Sequence, residues 1–269
     1  MLRVNRLCVD VHTSGSTSSL LHDVNVSVDS GEVVGLVGES GSGKSMTLRT
    51  ILGTLPSVAE VSSGSVELDG EDILTMSPKR LRKVRAEMIS LIPQNPQASL
   101  NPVLRVAEYI VEGVVAADPS VKRQEAMDRA RSGLTNVGIP DPDRILGSFP
   151  HQLSGGLLQR VVIAGAVARG SRLILADEPT TALDVTTQSE VMAILNDLQR
   201  KTGVGMLYVT HDLDLAAAVC NRILVMRRGE IVESGSPREV LGQPSHEYTR
   251  GLVDAKPSLD FLDISEADG

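Results

Sequence analysis

The stretch of this 269-residue chain best suited to chemistry is a glycine-rich loop that ends in a lysine and a serine. Its residues fit the pattern G-x-x-x-x-G-K-[ST] and are Gly38, Glu39, Ser40, Gly41, Ser42, Gly43, Lys44 and Ser45. Glycines let backbone N–H groups curl around a polyphosphate, and the N-terminus of a following helix adds partial positive charge. The lysine reaches the outer phosphates and the serine hydroxyl is suited to Mg²⁺. An apolar strand predicted at residues 32–37 and an apolar helix predicted at residues 46–52 supply the context that this pattern requires.

Two carboxylates follow a second apolar run, at residues 173–176, which predicts a buried strand. Asp177 is placed to hold Mg²⁺ through water, and Glu178 is placed to polarise an attacking water. The glycine-rich loop alone is compatible with kinases, GTPases and many ATPases. Together with the carboxylates it predicts a site that hydrolyses a nucleoside triphosphate.

A third stretch, Leu153, Ser154, Gly155 and Gly156, opens an apolar helix predicted to reach about residue 169. A helix N-terminus with a serine and two glycines is a second possible anion site. The chain therefore carries two helix ends suited to phosphate, but only one of them has a lysine.

The elements that must position these residues alternate between strand and helix. Apolar or alternating runs predict strands at residues 2–11, 21–28, 65–68, 88–92 and 205–209, and a hairpin at residues 223–226 and 230–233. Helical periodicity covers residues 103–137, 187–201 and 213–219. Residues 13–19 read as a loop by composition. Alternating strands and helices favour an α/β fold with a mainly parallel sheet.

Composition excludes several classes of protein. Lys plus Arg is 26 against 34 Asp plus Glu, a net charge of −8, and aromatic residues are 2%, which argues against nucleic-acid binding. Two cysteines are too few for a disulfide framework or a metal cluster. Without a long apolar run or an apolar leader, we expect a soluble chain whose role at a membrane, if any, comes through a partner.

The third stretch, followed by Gln159 and Arg160, resembles the signature of the ATP-binding cassette (ABC) family. Other motifs of that family follow in order: Gln94 resembles the Q-loop glutamine, residues 182–184 the D-loop, and His211 the switch histidine. The resemblance covers about residues 2–253. It implies an α/β P-loop NTPase core with a mainly parallel sheet, an N-terminal antiparallel β subdomain and a helical insertion at about residues 95–160.

The resemblance also implies roles for single residues. ATP would be held by residues 38–45 with Met46, and across a head-to-tail dimer by Ser154, Gly155, Gly156 and Asp184 of the second subunit. The implied catalytic residues are Glu178, His211, Gln94 and Lys44, and the implied Mg²⁺ ligands are Ser45, Gln94 and Asp177. Family members stack adenine on an aromatic ring ahead of the glycine-rich loop. Residues 9–12 hold no Phe, Tyr or Trp; His12 or Val11 could supply a ring or an apolar face there, and the residue that contacts adenine stays open.

Four strings, at residues 37–45, 93–96, 177–186 and 246–252, resemble the importers of dipeptides, oligopeptides and nickel. That branch implies a second ATPase subunit, identical or related, two transmembrane permeases and an extracellular solute-binding protein. The chain would then lie at the cytoplasmic face of the membrane as a peripheral subunit. Peptides are the first expectation, with nickel or a metallophore as the alternative. We expect an ATPase domain at residues 1–253 and a poorly ordered acidic tail at residues 254–269.

Three rival functions are weaker. Soluble ABC ATPases of DNA repair separate the two phosphate-binding stretches by a very long coiled coil, whereas about 110 residues intervene here, and those of translation carry two cassettes. An exporter subunit is disfavoured by the strings at residues 177–186 and 246–252. A binding module without catalysis conflicts with the presence of Lys44, Glu178 and His211 together.

Overall fold

The computed structural model of the chain describes residues 1–13, 15–181 and 183–255. Within them the strands are β1 (Leu2–Thr13), β2 (Ser16–Val28), β3 (Val33–Val37), β4 (Ala59–Leu68), β5 (Glu71–Asp72), β6 (Ile89–Ile92), β7 (Leu173–Asp177), β8 (Gly205–Thr210), β9 (Arg222–Arg227) and β10 (Glu230–Gly235). From residue 256 onward, the acidic tail predicted to be poorly ordered lies outside the described residues.

The helices in these ranges are α1 (Lys44–Ile51), α2 (Pro78–Met88), α3 (Pro96–Ser99), α4 (Val106–Ala117), α5 (Arg123–Asn136), α6 (Pro142–Gly147), α7 (Gly155–Arg169), α8 (Val185–Thr202), α9 (Leu213–Val219), α10 (Pro237–Gly242) and α11 (Glu247–Asp254). None of them combines the length and apolarity needed to cross a membrane.

The larger sheet confirms the predicted parallel arrangement. Its strand order is β10-β9-β3-β8-β7-β6, and every neighbouring pair is parallel except the β9–β10 hairpin. All residues of β3 and β8 are buried, as expected for strands covered on both faces. Because the strands are parallel, the loops after β3, β7 and β8 leave from one edge of the sheet. The glycine-rich loop, Glu178 and His211 follow these three strands.

The second sheet is antiparallel, with the order β2-β1-β4-β5. It corrects the loop predicted at residues 13–19, because β2 begins at Ser16, which pairs with Thr13, and Ser18 pairs with Val11. The described serines and threonines of this stretch are exposed, so their polarity resembles that of a loop. Cross-strand pairing with β1, which composition does not reveal, makes this stretch a strand.

Two apolar cores lie on opposite faces of the parallel sheet. In β3, Val33 and Val37 belong to the core covered by helices, whereas Val34 and Leu36 belong to the core shared with the antiparallel sheet. This division follows from the two-residue period of a strand. The parallel sheet is thereby fixed from both sides, which makes its loop-bearing edge a firm base for a site.

Between β6 and β7 the described chain forms helices without a strand. The predicted helical run at residues 103–137 divides into α4 and α5, and its predicted apolar stripe, Val106, Ile110, Val111 and Val114, is buried. α2 escaped prediction because Val84 is its one buried residue, so no apolar period marks it. The start of α2 could have been predicted, because Ser77 is a favoured N-cap residue and its side chain caps the helix.

Candidate active site

The glycine-rich loop at residues 38–45, called here the phosphate loop, joins β3 to α1. At two positions of this loop, steric crowding leaves room only for glycine. A Cβ at position 38 would lie 2.2 Å from the Met226 carbonyl oxygen, and one at position 43 would lie 2.8 Å from Leu21 Cδ2. Gly43 also has a φ of 114°, which L side chains rarely adopt. The loop therefore follows a path that larger residues would block.

Helix α1 begins at Lys44 without a side-chain cap, so its first backbone N–H groups are available to an anion. The Lys44 side chain is 5% exposed, and its Nζ donates to the carbonyl oxygens of Gly38, at 2.7 Å, and Glu39, at 2.9 Å. Burial lowers the pKa of the Lys44 ammonium, against the opposing attraction of nearby carboxylates, Glu178 foremost. The Ser42 hydroxyl is buried without a hydrogen-bond partner among the described residues. An uncapped helix end, a buried cation and a free hydroxyl fit a triphosphate.

A cleft of about 770 Å³ opens over this loop. It gathers residues that are far apart in the sequence and were predicted to act together. Its lining consists of Leu20, Glu39, Ser40, Gly41, Gly43, Lys44, Ser45, Met46, Gln94, Glu178 and His211. The structure thus brings the phosphate loop, Gln94, Glu178 and His211 to one place.

Glu178 is the hub of the polar contacts in this cleft. Its Oε2 accepts hydrogen bonds from Gln94 Nε2 at 3.1 Å and Thr181 Oγ1 at 2.9 Å, and His211 Nδ1 lies 3.3 Å from the same oxygen. No described residue bonds to its Oε1, which leaves that oxygen to accept from a water. Glu178 also has a φ of 45°, an unfavourable backbone conformation of the kind that clusters at functional sites.

Asp177 lies at the end of β7, beside Glu178. Burial, and then the neighbouring Glu178 charge, raise the pKa of the Asp177 carboxyl, whereas Lys44 acts to lower it. The carboxylates of Asp177 and Glu178 are adjacent, and that of Asp177 is poorly hydrated because it is buried. Such a pair favours a divalent cation, so the residues present fit Mg²⁺. Ligation by Ser45, Gln94 and Asp177 stays a prediction.

The signature stretch, residues 153–156, does not line the cleft over the phosphate loop. Ser154 caps α7 by accepting a hydrogen bond from the Leu157 N–H at 3.4 Å. Gly155 lines a second cleft of about 190 Å³, which also contains Gln94 and Leu183. Gln94 therefore borders both clefts and is the one predicted site residue common to them.

Asp184 is likewise apart from the phosphate loop. Its side chain caps α8, accepting from the Thr187 N–H at 2.9 Å and from Thr187 Oγ1 at 2.7 Å. The bonds from Thr187 lower the pKa of the Asp184 carboxyl. Residue 182 of the same motif lies outside the described residues.

For the adenine contact, the sequence suggests Val11 or His12 without deciding between them. Among the described residues, neither Val11 nor His12 lines the cleft, and the His12 ring bonds instead to Thr17 and Glu60. Leu20 of β2 lines it. The β1–β2 pairing, which the loop prediction missed, decides which strand faces the phosphate loop. Thr181 was also missed as a partner of Glu178, although a threonine three residues after a strand-end carboxylate was a visible signal.

Comparison with protein families finds a match between residues 21–181 and the family described as ABC transporter. Among curated relatives, the oligopeptide transport ATP-binding protein OppD of Bacillus subtilis (strain 168) is 40% identical over 261 residues, covering 97% of this chain and 73% of that protein. The peptidoglycan transport ATP-binding protein YejF of Agrobacterium fabrum is 43% identical, covering 96% of this chain and 47% of its own length.

Solved structures agree with these relatives. The ATP-binding cassette MJ0796, in a dimeric post-hydrolysis state bound to ADP and Pi, matches with a TM-score of 0.78 and 29% identity, covering 88% of this chain and 99% of that one. CbiO1 from Clostridium perfringens, part of the ABC transporter complex CbiONQ, matches with a TM-score of 0.77 and 28% identity, covering 90% of each chain.

Proposed function

Because the chain belongs to the ABC transporter family, we propose that it is the ATP-hydrolysing subunit of an importer for dipeptides or oligopeptides. The chain is an ABC ATPase, and ATP is its substrate. Relatives named for oligopeptide and dipeptide transport are about 40% identical over nearly the whole chain, which supports peptides as the solute.

The cleft over the phosphate loop carries this proposal, because it pairs a buried lysine with a carboxylate poised to meet a water. Lys44 would leave the two carbonyl oxygens it now contacts and donate to the β- and γ-phosphates. The N–H groups at the start of α1 would receive the remaining phosphate charge. When bound, Mg²⁺ would neutralise charge on these phosphates, with Ser45, Gln94 and Asp177 as ligands.

Glu178 would orient the water for in-line attack on the γ-phosphate. Its Oε2 is engaged by Gln94, Thr181 and His211, which would restrict the side chain and leave Oε1 to accept a hydrogen bond from the water. His211 is more exposed than Glu178, at 55% against 17%, and would donate to the γ-phosphate. Gln94 would connect the site to the helices that follow it.

A second ATPase subunit would complete each site. The signature stretch lies in another cleft than the phosphate loop, so one chain offers two halves that belong to different sites. Head-to-tail pairing would bring Ser154, Gly155, Gly156 and Asp184 of one subunit over the phosphate loop of the other. The solved cassette MJ0796 that resembles this chain is dimeric.

Two transmembrane permeases would be the membrane partners, holding the chain at the cytoplasmic face. A groove formed by residues that follow Gln94 in the chain is suited to this contact, with Leu100, Leu104, Arg105, Tyr109 and Glu112 among its lining residues. Val103, next to it, is 75% exposed. Apolar grooves of this kind receive the apolar face of a short helix.

The experiment that tests the function is ATP hydrolysis by the intact membrane complex with its binding protein, measured across a series of peptides and with Ni²⁺. Stimulation by peptides alone is the expected result. Stimulation by Ni²⁺ or a metallophore alone would replace the peptide proposal with metal import. Hydrolysis that no permease influences would contradict transport altogether.

A further inference from the structure

The chain segment from β9 to α11 contacts the phosphate loop at points that the proposed mechanism does not use. Besides the Met226 carbonyl that packs against Gly38, the Gly229 N–H donates to the Ser42 carbonyl oxygen at 2.8 Å. These contacts come from the end of β9 and from the β9–β10 turn. A loop with three glycines needs such supports, because its own residues restrict the backbone little.

The third contact comes from α11. The Tyr248 hydroxyl oxygen accepts a hydrogen bond from the Glu39 backbone N–H, over 3.2 Å and across more than two hundred residues of sequence. The Tyr248 ring is half-buried against the helical core, and the Arg227 guanidinium lies 4.8 Å from the ring centroid. Ring and hydroxyl are thus held by different partners, as expected for a side chain kept in one position.

Helix α11 is itself fixed to β10. The Glu233 carboxylate of that strand accepts from the Ser245 N–H at 2.7 Å, the Ser245 hydroxyl at 3.0 Å and the His246 N–H at 3.1 Å. Burial acts to raise the pKa of Glu233, but the Thr249 side chain foremost, together with these hydrogen bonds, outweighs burial and lowers the pKa. The carboxylate therefore remains charged at neutral pH and holds the start of the helix.

One peptide group of the phosphate loop is held from both ends. Its oxygen, the Gly38 carbonyl, accepts from Lys44 Nζ at 2.7 Å, and its N–H, that of Glu39, donates to Tyr248. When Lys44 turns to a phosphate, the oxygen loses its partner. The bond to Tyr248 then remains to stop this peptide from rotating.

We propose that Tyr248 is a positioning residue for the phosphate loop, and that it preorganises the Gly38–Glu39 peptide for nucleotide binding. This inference rests on the proposed function, since it needs a nucleotide at the phosphate loop. It also gives a physical role to the string at residues 246–252, which no step of the hydrolysis uses. Preorganisation improves affinity by reducing the ordering cost at the moment of binding.

The test is Tyr248→Phe in the full chain, which removes the hydroxyl and keeps the ring under Arg227. The dissociation constants for ATP and ADP should both rise about two- to tenfold, the usual effect of one hydrogen bond. The turnover number at saturating ATP should change less than about twofold, because Tyr248 touches no reacting atom. Arg250→Gln is the matched control: Arg250 lies on the same helix and bonds to the Ser245 carbonyl, not to the phosphate loop.

A purely structural role predicts another pattern, in which Tyr248→Phe lowers the melting temperature and leaves nucleotide affinity at the wild-type value; that result would overturn the inference. Should the variant not fold, Arg227→Gln retains the hydroxyl and removes the cation over the ring. Arg227→Gln should weaken ATP binding by a smaller factor than Tyr248→Phe. Unchanged ATP affinity in Arg227→Gln would contradict the positioning role of Tyr248.

The split between KM and turnover number separates positioning from general stability. Tyr248→Phe should raise the KM for ATP and leave the turnover number nearly unchanged, whereas Arg250→Gln should change neither. Equal KM values in the wild type and in Tyr248→Phe would contradict the proposal. Lys44→Ala separates the two levels of inference: normal ATP binding in that variant removes the proposed function, whereas normal binding in Tyr248→Phe alone removes only the role of Tyr248.

Discussion

Helices α1 and α7 both begin at glycine-rich stretches, but their N-termini are satisfied in different ways. Helix α1 has no side-chain cap and starts with the buried Lys44. Helix α7 is capped by Ser154, whose hydroxyl already accepts from the Leu157 N–H. The first N–H groups of α1 have no side-chain cap, and the helix starts with a buried cation. One N–H group at the start of α7 is already bonded by Ser154, and its first turn holds no lysine or arginine.

We expect this difference to separate a primary phosphate site from an auxiliary one. An uncapped N-terminus with a buried ammonium group gains most from a highly charged triphosphate. A capped N-terminus can add contacts only to a phosphate that is already held elsewhere. The α1 end should therefore bind nucleotide in a single chain, and the α7 end should contribute only after two subunits meet.

The largest effect is expected at the carboxylate beside the α1 end. Glu178→Gln should lower the turnover number about 10²–10⁴-fold, because an amide cannot take a proton from water, while ATP stays bound. Single-turnover hydrolysis with measurement of retained ATP tests this. Glu230→Gln, an exposed change on β10, is the control. Turnover near the wild-type rate would mean that another group activates the water.

Next in size is the cation itself. Lys44→Ala should weaken ATP binding about a hundredfold, since it removes charge-assisted contacts worth about 1.5–3 kcal/mol each. Equilibrium binding to the full chain measures the change. Lys201, an exposed lysine paired with Asp197, gives the control Lys201→Ala, which should bind normally. A similar loss of ATP affinity in Lys44→Ala and Lys201→Ala would contradict the assignment of the α1 N-terminus as the primary phosphate site.

The α7 end is tested in mixed dimers. Ser154→Arg and Lys44→Ala placed in the same subunit should abolish ATP trapping at both sites, whereas placing them in opposite subunits should leave one site intact. A head-to-tail dimer requires this pattern, and the reverse pattern would show that each chain uses its own signature stretch. Loss of the cap costs about 1 kcal/mol of stability, so melting temperatures should be compared alongside.

The smallest effect concerns Asp177 in the absence of nucleotide. Burial raises the pKa of the Asp177 carboxyl, so the folded chain holds the proton on this carboxyl more tightly than the unfolded chain does. The stability it contributes is therefore present at low pH and is lost as pH rises through the folded pKa. Asp177→Asn should raise the melting temperature at pH 7 by about 1–3 °C while impairing hydrolysis. Asp197→Asn is the opposite case, because Arg200 lowers the pKa of Asp197, and it should not stabilise the chain.

Much of the fold and site could be predicted because local signals were strong. The phosphate loop, the strand before Asp177 and the parallel sheet all rest on residue type and spacing over short distances. The start of β2 at Ser16 and the helix α2 were missed because their local sequence signals are weak. Each is polar and exposed, so its conformation depends on pairing and capping and not on an apolar period.

What the sequence alone determined was the identity of the reacting groups: a phosphate loop with Lys44, a carboxylate pair at a strand end, and a second glycine-rich helix start. The tertiary structure decided which of them meet. Only folding places Gln94, Thr181 and His211 on one oxygen of Glu178, excludes the signature stretch from that cleft, and brings Tyr248 to the Glu39 N–H. The reason is that chemistry belongs to side-chain type, which is local, whereas distance between remote residues depends on how sheets and helices pack.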